Sequence, residues 1–97
     1  MTSKDTMAAV VRAYGDLDLD TAPALCRDLT AALPRHRQVV LDLSGVDFMD
    51  CSGIGALVHA QNQADHLGVA LEVRGAGPAV RRLIELTGLG TRVTLRP

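Results

Sequence analysis

The chain is 97 residues long, 47% apolar and 22% charged, with a formal net charge of −1, which describes one small globular domain over residues 1–97. That balance excludes extended disorder, which needs few apolar residues and a large net charge. It also lacks the basic excess of a protein that neutralises nucleic-acid phosphates, and one tyrosine, one phenylalanine and no tryptophan leave no platform for stacking bases.

No apolar run approaches the roughly 18 residues of a membrane span, and Met1–Met7 is too polar for a secretory leader. The expected location is the cytoplasm. Cys26 and Cys51, without CxxC spacing, read as reduced thiols.

Met7–Tyr14 is an apolar run closed by Gly15 and reads as a strand. Gly15–Asp20 (GDLDLD) reads as a carboxylate-rich turn. Asp20 or Thr21 can cap a helix with Pro23 in its first turn, and Ala22, Leu25, Leu29, Ala32 and Leu33 recur at helical spacing until Pro34. Val39–Leu43 (VVLDL) predicts a central strand buried on both faces, and Ser44–Asp50 a connector. Ile54, Leu57, Val58, Gln61 and Ala64 or Asp65 pattern a second helix that begins near Cys51–Gly53 and stops at Gly68. Val69–Val73 is the next strand, and Gly75–Gly77 a turn. Pro78 opens a third helix patterned by Ala79, Val80, Leu83, Ile84 and Leu86 and closed by Gly88; Arg92–Leu95 is a last short strand. The order β-α-β-α-β-α-β predicts an α/β domain with a mostly parallel central sheet and right-handed crossovers.

In such sheets, partners and ligands meet the loops that follow the carboxyl ends of strands. Two loops qualify. The first carries Asp16, Asp18 and Asp20. It could serve a cation or an acidic docking surface, but it lacks the glycine and the distant glutamate of a calcium loop. Helix capping and a solvated turn explain it more simply.

The second loop is Asp50-Cys51-Ser52-Gly53-Ile54-Gly55. Ser52 lies at a helix start, where a phosphoryl group adding about −1.5 to −2 charge is tolerated by the helix yet confronts any docked partner. The plainer alternative is an N-cap followed by a glycine-eased turn. A helix-start thiol at Cys51 could be nucleophilic, but Asp50 opposes that and no histidine is near in sequence, so no catalytic residue is assigned. His36, His59 and His66 have no metal-ligand spacing, and neither Gly53-x-Gly55 nor Gly75-x-Gly77 completes a dinucleotide fingerprint. No metal or cofactor is expected. Cys26, mid-helix, is expected in the core. Arg74, Arg81, Arg82 and Arg92 crowd the C-terminal third as a solvated face or a partner patch.

Taken together, Gly15-Asp16-Leu17-Asp18 with Thr21-Ala22-Pro23, the block VVLDLSGVDFMDCSGIGAL from Val39 to Leu57, Gly68–Leu71, and Pro78–Leu83 with Leu86–Leu89 resemble a STAS domain, the fold of bacterial anti-sigma-factor antagonists. The resemblance covers about residues 8–95. It implies a protein without catalysis that binds an anti-sigma factor, often a serine kinase of ATPase fold, and thereby frees a sigma factor. Asp16, Asp18, Asp20, Asp50, Cys51, Ser52, Gly53, Ile54 and Gly55 are the implied partner-binding residues.

Family members that are switched by phosphorylation read D-S-[ST]-G, with the acceptor directly after the aspartate. Here that position is Cys51, which a serine kinase cannot phosphorylate. Either the protein binds constitutively or Ser52 takes the role one position along, about 100° around a helix. Members often begin with an additional strand. Here that N-terminal edge strand is expected to be short or missing, which would leave an open edge and allow a homodimer. Two alternatives compete: a self-associating or ligand-binding STAS signalling scaffold, and an enzyme using Cys51, for which no base or oxyanion arrangement can be named.

Overall fold

A computed structural model describes residues 8–97. Strands β1 (Ala9–Leu17), β2 (Gln38–Met49), β3 (Ala70–Arg74) and β4 (Thr94–Arg96) alternate with helices α1 (Ala22–Ala32), α2 (Cys51–Leu67) and α3 (Pro78–Leu86). The strands form one sheet in the order β1-β2-β3-β4 with every pairing parallel. The order and strand direction agree with the sequence. The expected first position of β1, Met7, and the expectation about an additional edge strand fall on residues 1–7, outside the described residues.

Each helix starts and stops where its residues dictate. Pro23 and Pro78 occupy first turns, where their missing N–H costs nothing. Leu33–Arg35 adds one 3₁₀ turn past α1, around Pro34. Gly68, with φ of 69°, ends α2 in the left-handed conformation that glycine adopts freely. The Gly68 and Val69 N–H groups then donate to the Asp65 and Ala64 carbonyls. Inward faces of the helices meet one side of the sheet. Leu29, Leu33, Val39, Leu41, Leu43, Leu57, Val73 and Ile84 are fully buried there, each worth about 1.5–3 kcal/mol of transfer free energy.

Three expectations need correction. β2 does not end at Leu43, and the Ser44–Asp50 connector is strand as far as Met49. β1 likewise continues through Gly15 and Asp16 to Leu17. The two extensions pair with each other, and two register shifts give β2 an extra residue opposite β1 each time. These are bulges, which break the period-2 pattern read in single strands. Third, the second face of β2 is buried at Val40 but polar around it. That face carries Gln38 and Asp42 beside Arg12, Glu72 and Arg96, in a polar ladder with Arg12–Asp42 at 3.7 Å, Gln38–Glu72 at 3.2 Å and Arg96–Glu72 at 3.7 Å. Val40 is covered among these side chains.

The cluster of C-terminal arginines also disperses. Arg81 pairs with Glu85 within α3, and Arg92 reaches α2, donating to Asp65 at 2.7 Å and Asn62 at 2.9 Å. Arg92 and then Gln61, by donating hydrogen bonds to Asp65, hold its carboxyl below the usual value of 3.8. The folded state therefore favours the charged form. That stabilisation is present above the unfolded carboxylate pKa and disappears as pH falls through the lowered folded value. Asp65→Asn should reduce the urea midpoint at pH 7, and the difference from the parent should close as pH drops below about 4. A gap that persists unchanged at about pH 2 would refute this role for Asp65.

Candidate docking loop and its apolar flank

The parallel register brings the two candidate loops together. Leu17 pairs with Met49, and the Asp50 N–H donates to the Leu17 carbonyl at 3.1 Å. The acidic turn after β1 and the start of α2 after β2 therefore occupy the same end of the sheet.

In the acidic turn, Asp18 serves the backbone. One of its oxygens accepts from the Asp20 N–H at 3.0 Å and the Thr21 N–H at 3.2 Å. Thr21 is the N-cap of α1 but makes no side-chain cap bond; its hydroxyl instead donates to the Asp16 carbonyl at 2.6 Å and accepts from the Asp18 N–H at 2.9 Å. This is a self-satisfied turn of the kind Asp and Thr favour. Asp16 and Asp20 keep their carboxylates in water.

At the second loop Asp50 is the N-cap of α2. Its side chain accepts from the Ser52 N–H at 2.8 Å, while its carbonyl accepts from the Ile54 N–H at 3.1 Å. The cap holds one helix-start donor and fixes the turn. Cys51 then projects into solvent as an exposed thiol, and Ser52 is half-buried. Gly53 and Ile54 turn inward and are buried. A Cβ on Gly53 would stand 2.6 Å from Met49 Cγ and 3.1 Å from Leu17 Cβ, so only glycine lets the first turn of α2 sit on the ends of β1 and β2. Gly55 has nothing within 4 Å of such a position and is exposed. Of the six-residue block, Asp50, Cys51, Ser52 and Gly55 therefore reach the surface.

A feature absent from the sequence reading lies beside them. The first turns of α1 and α2 enclose a groove of about 290 Å³, with Leu19, Pro23 and Cys26 on one side and Ser52, Gly55 and His59 on the other. Its exposed walls are almost entirely carbon, and Leu19 at its lip is 76% exposed. Cys26 is thus a half-exposed groove residue, not a core residue. Its mid-helix position and small apolar side chain suggested burial, but the space between two helices depends on both. Ser52 lines this groove, and its hydroxyl has no hydrogen-bond partner among the described residues.

Three comparisons with known proteins bear on this arrangement. A family model described as "Mlab, STAS domain" matches residues 1–97. An anti-sigma F factor antagonist of Paenibacillus polymyxa is 30% identical over 82 residues, spanning 82% of this chain and 70% of that protein. An anti-sigma-F factor antagonist of Mycobacterium tuberculosis is 28% identical over 93 residues, 93% of this chain and 73% of its own. Among solved structures, an anti-sigma factor antagonist from Mycobacterium paratuberculosis superposes with a TM-score of 0.79 at 34% identity, covering 93% of this chain and 77% of that one.

Proposed function

The chain belongs to the STAS domain family, and on that premise we propose that it is a non-catalytic binding protein that antagonises an anti-sigma factor and so releases a sigma factor. The partner class comes from the relatives, which are named as antagonists of this kind. The observation that carries the reading is the Asp50–Ser52 turn: a capped, rigid helix start that exposes a short polar edge beside an apolar groove. Such a surface combines a preformed backbone with a place for a partner side chain, which is what binding needs. A single domain in the cytoplasm, as read from the sequence, suits the role, and no helix among the described residues is long and apolar enough to cross a membrane.

The partner we propose is an anti-sigma factor of the serine-kinase, ATPase-fold type. Position 51 carries a thiol and is closed to that kinase chemistry, so binding is constitutive unless Ser52 accepts the phosphate. The test is to mix the purified protein with each anti-sigma factor encoded in the same genome, with and without ATP. Complex formation that displaces a bound sigma factor is the expected result, with the intact mass of the protein unchanged by ATP. A mass gain of one phosphate mapped to Ser52 would replace the constitutive reading with a switchable one. No complex with any of them would overturn the function.

A further inference from the structure

The Asp50–Ser52 turn has a second apolar neighbour on its other side. Phe48, the only phenylalanine of the chain, is 51% exposed. The second bulge of β2 is the cause. Gly15 pairs with Val46 and the next residue, Asp16, pairs with Phe48, so β2 holds one extra residue and both Asp47 and Phe48 reach solvent. Phe48 borders a cavity of about 240 Å³ whose other walls include Met49 and, from α3, Ala79, Val80 and Leu83. Most of its exposed wall is apolar.

We infer that this cavity is a second anchor point for the anti-sigma factor, entered by one apolar side chain that the partner presents within a rim of lysine or arginine. The inference rests on the function proposed above and extends its footprint. Continuity argues for the same partner. Met49 lines the cavity and also packs under Gly53 in the first turn of α2, so a protein large enough to cover Asp50–Ser52 also covers Phe48.

Charge argues for the chemistry of that partner. Asp16, Asp18, Asp20, Asp47 and Asp50, five of the 11 acidic residues, lie in the last residues of β1 and β2 and the loops that follow them. The cations nearest on α3 are Arg81, already paired with Glu85, and Arg82. A second copy of this chain docked through the same end would set carboxylates against carboxylates, whereas a basic rim complements them.

The test measures binding of the purified anti-sigma factors by the parent protein, Phe48→Ala and Ala79→Gln. Both replaced side chains are exposed, and thermal melts confirm that each variant folds. The Phe48→Ala complex should be weaker by about 10-fold or more, as for an interfacial aromatic anchor, and Ala79→Gln should block the cavity independently. The association rate should fall by about 10-fold between 0.05 and 0.5 M salt. Affinities of both variants within about twofold of the parent would overturn the second anchor and leave the proposed function standing. An association rate indifferent to salt would overturn the basic rim. A parent dimer that Phe48→Ala dissolves would give the cavity to a second copy and overturn the inference. No binding by the parent would overturn the proposed function and this inference with it.

Discussion

Ser52→Asp should weaken the complex with the anti-sigma factor by about 100-fold while leaving the free protein as stable as its parent. The two halves of that expectation have separate causes. In the free protein, residue 52 is in the first turn of α2, where a carboxylate complements the helix dipole by about 0.3–1 kcal/mol and replaces a hydroxyl that has no partner among the described residues. In the complex, the same carboxylate lines the Leu19–His59 groove, whose walls are almost all apolar. A partner side chain that fills the groove strips the charge of water without supplying a counter-ion. A buried unpaired charge at an interface costs about 2–5 kcal/mol, and each 1.4 kcal/mol is tenfold in affinity.

The loss should lie in dissociation. With the basic partner rim proposed above, the acidic end already favours association, so one further negative charge should leave the association rate unchanged or slightly raised. Surface plasmon resonance separates the two rates, with Ser52→Ala as the control that keeps near-parent affinity. A Ser52→Asp complex with parent-like lifetime would remove the groove from the interface.

Gly53→Ala should cost about 2 kcal/mol and lower the melting temperature by roughly 10 °C, a large shift for a domain of this size. The added methyl meets Met49 Cγ at 2.6 Å, Leu17 Cβ at 3.1 Å and the Leu17 carbonyl oxygen at 3.2 Å. Met49 can yield, but Leu17 is strand backbone hydrogen-bonded to Asp50. Relief therefore requires lifting the start of α2 away from the strand ends. Gly55→Ala is the internal comparison. It has nothing within 4 Å, so it should gain up to about 1 kcal/mol of helix propensity. Calorimetric scans that rank the two glycines the other way would refute the tight seating of α2.

The helices were legible in the sequence because their signals are local. Pro23, Gly68 and Pro78 mark ends, and apolar residues at 3.6-residue spacing mark inward faces. The outer halves of β1 and β2 were not legible. Gly15, Asp16, Ser44, Gly45 and Asp47 are poor strand formers alone, and they become strand only because each segment supplies the other's hydrogen-bond partners. A bulge is a property of a pair, so neither sequence announces it. Tyr14 and Gly45 illustrate this: the ring lies where a Cβ on Gly45 would stand, 2.5 Å from its Cδ1, and neither residue alone implies the other.

The candidate docking loop was legible as a motif, and Asp50 does cap α2. Its two apolar flanks were not. One depends on how α1 and α2 diverge, and the other on a bulge that turns Phe48 outward.

The two halves of β2 answer to different demands. From Val39 to Asp42 the strand is flanked by β1 and β3, but beyond Asp42, as far as Met49, its only pairing is with β1, at Gly45, Val46, Phe48 and Met49. The first half belongs to the core, where a change of one methylene is felt throughout. The second half is a two-stranded promontory in which Leu43, Val46 and Met49 still face the core, while Ser44, Asp47 and Phe48 are exposed and border the proposed docking surface. Substitutions at those exposed positions would therefore change what a partner meets there while the buried positions of both halves keep the domain folded. One fold of this size can in this way serve many distinct partnerships without risking its own stability.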